Sequence, residues 1–183
     1  MPPSDNQIMQ EHDLIAGCLK GDARMQEALY RRFSPKMYAV CLRYAAKSED
    51  ASDILQDGFV KVYRNLDKYR GEGSFEGWMR RIFVNTAIEH FRKQHSVLSV
   101  TEQQEAMLTD GHWNAFDQLA AKDILNLVRT LAPGYRQVFN LYAVEGYSHR
   151  EISEMLGISE GTSKSQLARA KAILQEKIRE THR

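Results

Sequence analysis

DILQDGFVKVYRNLDKYRGEGSFEGWMRRIFVNTAIEHFRK, residues 53–93, is the stretch whose reading decides the fold. Projected at 3.6 residues per turn, Ile54, Leu55, Phe59, Val62, Tyr63 and Leu66 form one apolar stripe, while Asp53, Gln56, Asp57, Val60 and Arg64 fall on the other side. One face packs, and the other is free to bind. The run Arg70, Gly71, Glu72, Gly73, Ser74 then sets two glycines where a helix is disfavoured, which predicts a turn. Phe75 and Glu76 lead into a second helix, on which Met79, Phe83, Ala87 and His90 project to one side and Trp78, Arg81, Asn85 and Arg92 lie near a line on another. That line has nucleic-acid chemistry: indole and guanidinium planes stack on bases, an amide reads a base edge, and positive charge answers phosphate. The competing assignment makes Trp78 a core residue and the arginines a solvated face, because large aromatics at helical spacing are usually buried.

The rest of the chain narrows the class. Its 183 residues suit one domain or two small ones, and 27% charged against 43% hydrophobic residues is an ordinary globular balance. Net charge is only +1, from 25 Lys+Arg against 24 Asp+Glu, so the distribution of charge, not its total, has to point to any nucleic-acid partner. No apolar run is long enough to insert in a membrane, and the polar opening MPPSDNQIMQEHD lacks a signal-peptide core, so a cytoplasmic protein is expected. Cys18 and Cys41 form no CxxC pair and read as small core residues; no zinc site and no cofactor is called for.

Toward the N-terminus, Leu14, Ile15, Cys18 and Leu19 make a short helical stripe closed by Gly21. A second helix carries Met25, Ala28, Leu29 and Phe33 as far as Ser34 and Pro35, where proline is expected in the first turn of a third helix bearing Met37, Val40, Cys41 and Tyr44. Ser48 or Glu49 is expected to cap the helix that follows, with Glu49, Asp50, Asp53 and Asp57 favoured by its dipole. Toward the C-terminus, apolar periodicity is lost over residues 96–116, an acidic polar linker between a domain at 11–95 and one at 117–180. Helical spacing returns with Leu119, Ile124, Leu127 and Val128, breaks at Pro133 and Gly134, and returns with Val138, Leu141 and Tyr142.

Then comes YSHREISEMLGISEGTSKSQLARAKAILQEKI, residues 147–178. Ser148 with Glu151 three positions later is a capping-box spacing, Gly157 closes a short helix, and Ile158 plugs the corner. Ser159 caps a longer helix whose inner face reads Thr162, Leu167, Ala170 and Leu174. The pattern is a helix-turn-helix, and its second helix offers Glu160, Lys164, Ser165, Gln166 and Arg169 to a major groove, with the backbone amides at Ser159 to Gly161 as a phosphate seat.

In order and separation, DILQDGFVKVY, FEGWMRRIFVNTAIEHFRK and YSHREISEMLGISEGTSKSQLARAK resemble the sigma factors of bacterial RNA polymerase, specifically the extracytoplasmic-function group of the sigma-70 superfamily. The resemblance implies an all-α fold of two helical domains, sigma regions 2 and 4, joined by a flexible linker. It implies a dissociable, non-catalytic subunit that directs core polymerase to promoters and promotes strand opening. It assigns Asp53, Gln56, Asp57 and Val60 to the beta-prime clamp helices, and Arg70, Gly71, Glu72, Gly73, Ser74, Phe75, Trp78, Arg81, Asn85 and Arg92 to the minus-ten element. An extruded base is assigned to the Gly71-Glu72-Gly73 loop. The resemblance assigns Ser159, Glu160, Gly161, Thr162, Lys164, Ser165, Gln166 and Arg169 to the minus-thirty-five element. Its other implied partners are the beta flap and an anti-sigma factor. The chain departs from many relatives at Ser163, where they carry valine, and at Gln166, where they carry arginine.

Two other classes compete. A stand-alone helix-turn-helix regulator explains residues 148–177 but leaves the Trp78 to Arg92 line without a job. A metal-dependent nuclease using Asp53 and Asp57 lacks a further ligand of convincing spacing, and the six histidines form no local catalytic pattern.

Overall fold

The computed structural model describes residues 10–96 and 126–181, and every regular element in them is helical. Four α-helices make the N-terminal lobe: α1 (Glu11–Leu19), α2 (Ala23–Tyr44), α3 (Ser48–Arg64) and α4 (Phe75–Ser96), with a 3-10 turn at Leu66–Lys68. Asp22 caps α2 by accepting from the backbone N–H groups of Arg24 and Met25. The stripes merge into one core in which Leu29, Phe33, Met37 and Cys41 of α2 meet Ile54, Phe59 and Val62 of α3 and Phe75, Met79 and Phe83 of α4. Aromatic rings carry much of it. Phe59 meets Phe83 edge-on at 5.2 Å, and Phe33 meets Phe75 at 5.5 Å.

Two expectations about this lobe need correction. No helix starts at Ser34-Pro35, because α2 runs unbroken from Ala23 to Tyr44 with Pro35 inside it. An interior proline forfeits one backbone hydrogen bond and costs about 3 kcal/mol. Pro35 is exposed while Leu29, Phe33, Met37 and Val40 stay buried on one side, so the uninterrupted apolar stripe outweighs the local break. At the start of α3 the cap position is Lys47, which makes no side-chain cap; Ser48 is already helical, with Glu49 and Asp50 in the first turn.

The C-terminal lobe begins, within the described residues, with a helical turn at 126–129. It continues as α5 (Pro133–Phe139), a π-helical turn (Asn140–Val144), α6 (His149–Leu156) and α7 (Glu160–Thr181). Pro133 sits in the first turn of α5, where its missing N–H is not needed. The inner face of α7 is Ser163, Leu167, Ala170, Leu174 and Ile178, all buried. Thr162 was expected in that row, but it is only half-buried, and its neighbour Ser163 takes the inward position. Residues 97–116 of the expected linker, together with Leu119 and Ile124, lie outside the described residues.

The C-terminal lobe lies against the ends of α2 and α4. The last carbonyls of a helix have no partner within it, and here side-chain amides supply one: Gln137 donates to Tyr44 O at 3.1 Å and Asn140 to Arg43 O at 2.7 Å.

Among the glycines of the N-terminal lobe, Gly58 has the least room for a side chain. A β-carbon placed there would come within 2.2 Å of the Phe83 ring. Gly58→Ala is therefore expected to destabilise the protein by about 2–3 kcal/mol in urea titration, despite alanine's better helix propensity. A neutral or stabilising result would show that α3 and α4 can separate without cost.

Candidate nucleic-acid interface

The buried stripe of α3 turns Asp53, Gln56, Asp57 and Val60 outward, and all four are exposed. Val60 leaves 42% of its surface to solvent beside the carboxylates. Two contacts lock this face to α4: His90 Nε2 lies 2.8 Å from Asp57 Oδ2, and Lys61 donates to Glu89 at 2.6 Å. Asp57 thus has one oxygen engaged and still keeps half its side chain in solvent.

The loop before α4 is held at several points. Gly71 and Gly73 adopt φ of 74° and 83°, values that favour glycine. The Tyr69 hydroxyl donates to Gly73 O at 2.9 Å, and Ser74 Oγ accepts from Gly77 N at 3.0 Å. Arg70, Gly71, Glu72, Gly73 and Ser74 are exposed. Phe75 is not, and its assignment to DNA is corrected: at 0% exposure it is the first core residue of α4 and has no surface to offer a base.

Trp78 reconciles the two readings of the sequence. Its ring stacks on Phe75 at 5.5 Å and meets Tyr69 at the same distance, yet it is only half-buried and also walls a groove. Arg81, Asn85 and Arg92 are exposed along the same helix. The groove, about 310 Å³, lies between the end of α3 and α4, lined by Lys61, Asn65, Lys68, Trp78, Ile82 and Asn85 among others. Its polar wall is pre-ordered, since Lys68 donates to Asn65 Oδ1 at 2.7 Å and Asn65 Nδ2 to Lys61 O at 2.8 Å. Lys61, Asn65, Lys68 and Ile82 were missed in sequence because the concavity forms between two helices and a 3-10 turn, which no single periodicity reports.

On the second lobe, Ser148 and Glu151 form a reciprocal capping box. Ser148 Oγ accepts from Glu151 N at 3.3 Å, and the Glu151 carboxylate accepts from Ser148 N at 2.8 Å and Oγ at 2.7 Å. Gly157 takes φ of 70° at the corner, and Ser159 Oγ accepts from Thr162 N at 3.0 Å. Along α7 and its cap, Ser159, Glu160, Gly161, Lys164 and Ser165 are exposed, and Arg169 is half-buried. Two assigned residues are less available than expected. The Thr162 hydroxyl is engaged by Ser159 at 2.8 Å, and the Gln166 carboxamide folds back over Gly134 of α5 instead of standing outward.

Ser163 is the unusual inward residue. Its hydroxyl lies 2.9 Å from His149 Nδ1, and the imidazole stacks on Tyr142 at 4.7 Å. Burial, then Lys164, push the His149 pKa down, so the ring is held neutral and fitted to a hydroxyl neighbour.

Known proteins share these features. Residues 29–97 match the family description Sigma-70 region 2, and residues 121–174 match Sigma-70, region 4. The chain is 25% identical to the ECF RNA polymerase sigma-E factor of Haemophilus influenzae, covering 93% of this chain and 96% of that one. The RNA polymerase sigma-H factor of Pseudomonas aeruginosa is 24% identical, covering 92% and 94%. The chain belongs to the extracytoplasmic-function group of the sigma-70 family.

Among solved structures, the sigma factor RpoE in complex with the anti-sigma factor NepR from Bartonella quintana is 21% identical, covers 86% of this chain and 98% of that chain, and has a TM-score of 0.49. In this RNA polymerase sigma factor the region 2 match takes in α3, α4 and most of α2, while the region 4 match takes in α5, α6 and two thirds of α7. Its family is one of non-catalytic specificity subunits. Among the described residues no helix is long and apolar enough to cross a membrane.

The capping box gives this sigma factor a testable titration. Donation from the Ser148 hydroxyl, then from its backbone N–H, holds the Glu151 pKa below the ordinary 4.5. A carboxyl with a depressed folded-state pKa adds stability above its unfolded pKa and loses it as pH falls through the folded one. In Ser148→Ala, the Glu151 pKa followed by NMR is expected to rise toward 4.5, and the gap in thermal midpoint from wild type is expected to narrow below that pH. An unmoved carboxyl resonance would show that the cap does not hold Glu151 in solution.

Proposed function

We propose that this sigma factor divides its work among three surfaces. Residues 11–95 act as one functional domain and residues 117–180 as the other, joined through residues 96–116. The α3 row of Asp53, Gln56, Asp57 and Val60 docks on the beta-prime clamp helices of core polymerase. Carboxylates pair with basic side chains across such an interface, and Val60 supplies apolar area between them.

The α4 surface captures the opened strand at the minus-ten element. Unstacking a base costs a few kcal/mol, about what a stacking platform returns. The observation that carries this proposal is the groove beside Trp78: it joins Trp78 and the Asn85 amide of α4, the helix that also exposes Arg81 and Arg92, to Lys61 of α3 and Lys68 of the 3-10 turn. Tyr69 ties the loop from Arg70 to Ser74 to the groove's aromatic wall, since its hydroxyl donates to Gly73 O and its ring meets Trp78. The extruded base enters this groove, with the Gly71-Glu72-Gly73 backbone at its rim.

The α6–α7 pair reads the minus-thirty-five element as duplex. Ser159, Glu160, Gly161 and Thr162 seat a phosphate at the start of α7, Lys164, Ser165 and Arg169 face the groove, and Gln166 takes part only if its carboxamide swings off Gly134. The beta flap is the second polymerase contact. An anti-sigma protein covers these same faces when the factor is held inactive, and the site of action is the cytoplasm. The near-neutral net charge suits a subunit whose DNA contacts are made inside the holoenzyme.

Two paired variants separate the surfaces. Asp53→Ala with Asp57→Ala is expected to weaken association with purified core polymerase about tenfold while leaving the far-UV circular dichroism unchanged. Trp78→Ala with Asn85→Ala is expected to spare that association but lower open-complex formation on a cognate promoter by about tenfold or more. The assignment fails if the first pair keeps full affinity, or if the second opens promoters as wild type does.

A further inference from the structure

His149 and Ser163 join the two helices of the C-terminal pair at one buried point. Ser163 lies in the first turn of α7 with 0% of its surface exposed, and its hydroxyl is 2.9 Å from Nδ1 of His149, the first residue of α6. The imidazole also stacks on Tyr142 of the π-helical turn, with ring centroids 4.7 Å apart and planes 21° from parallel. Lys171 Nζ lies 5.9 Å from the centre of the same tyrosine ring. The imidazole is thus fixed in direction by the hydroxyl and in plane by the tyrosine. None of the three surfaces proposed above uses His149 or Ser163.

The place of this bond matters for how α7 is presented. Ile152 and Leu156 of α6 and Leu167, Ala170 and Leu174 of α7 are buried in the same core, and apolar contact is non-directional, so it tolerates a small turn of one helix against the other. A hydrogen bond weakens steeply off its axis and does not. With Ser163 facing inward, Lys164 and Ser165 stand roughly 100° and 200° further round the helix, and both are exposed. A slip of α7 about its axis would carry the two together. Groups that recognise a ligand have to be held within about 10–20° of the productive direction.

We infer that His149 and Ser163 are positioning residues for the minus-thirty-five element: their bond fixes the rotation of α7 at which Lys164 and Ser165 meet the base pairs, and protonating the imidazole releases it. This rests on the assignment of α6 and α7 to that element. The groups around the ring give the direction of the pH effect. Burial first, then Lys164, and to a lesser degree Lys171, disfavour the charged imidazole, whereas Glu160 favours it, and the pKa settles below the ordinary 6.5. At neutral pH the ring is uncharged and stays in place under Tyr142. A proton gained on acidification sets a third positive charge beside two lysines in a half-buried site, which favours a ring turned out to water.

The test uses the full chain with purified core polymerase and compares initiation on a cognate promoter with initiation on the same promoter carrying a scrambled minus-thirty-five element. The ratio of the two is the readout, because added charge alters affinity for any DNA. Ser163→Ala, and His149→Phe, which keeps a stacked ring without a hydrogen-bonding group, are each expected to lower the ratio by about five- to tenfold, and the double variant no further. His149→Asn, whose amide reaches the place of Nδ1, is expected to recover most of it. Lowering the pH below 6.5 is expected to reduce the ratio for wild type and leave it level for His149→Asn. Far-UV circular dichroism and association with core polymerase are expected to stay unchanged throughout. Should Ser163→Ala unfold the C-terminal lobe, the contrast between His149→Phe and His149→Asn decides. A wild-type ratio in the folded variants, losses that add in the double variant, or a His149→Asn chain as impaired as His149→Phe overturns the positioning role. A wild-type ratio unmoved by pH overturns the release. If wild type initiates yet ignores the scrambling, the minus-thirty-five assignment itself fails, and the positioning role with it.

Discussion

The contact on which the rest of the N-terminal lobe depends is the seating of Phe83 on Gly58. With no β-carbon at position 58, α3 and α4 approach until the aromatic ring lies on bare backbone, and Phe59 meets the same ring edge-on. That spacing buries one face of each helix and leaves the other two faces no choice but solvent. The acidic row of α3 and the cationic line of α4 are exposed for the same reason that the core is tight. The groove beside Trp78 is a further product of it, because a concavity between two helices exists only at a fixed separation.

The two lobes differ in what their polar groups add to a shared apolar core. Aromatic and aliphatic burial holds the first, and its polar ornaments, such as the Asp57 to His90 and Lys61 to Glu89 pairs, sit at the edge where water weakens them. The second has a buried apolar face of its own and adds side-chain capping at the starts of α6 and α7 and a buried hydroxyl paired with imidazole under α7. Between them the buried apolar residues of both lobes belong to one continuous core, edged by a cluster of amides, carbonyls and ions. Apolar cores are indifferent to where partners sit, whereas such a cluster must be geometrically complete to be strong.

Trp78 and Ser163 show how structural and functional roles share a side chain. The indole gives one face to Phe75 and its edge to the groove, so the residue that completes the core also presents an aromatic surface. Ser163 is fully buried under α7, and its hydroxyl meets the His149 imidazole, which stacks on Tyr142.

What the sequence determined by itself was whatever depends on neighbours three or four residues away. The Ser148 and Glu151 cap, the Gly157 corner, the turn at Gly71 and Gly73, and the outward rows on α3 and α4 follow from helical spacing and local hydrogen bonding, and the order of its motifs carried the family. Contacts distant in sequence decided the remainder. Pro35 stayed inside a helix because α2 had a continuous core to cover, and Phe75 went inward because Phe33 and Tyr69 waited for it. Gln166 lay back on Gly134, and Glu145 found Arg80, 65 residues away. Periodicity states which side of a helix faces in, but only packing against another element states what that side will meet.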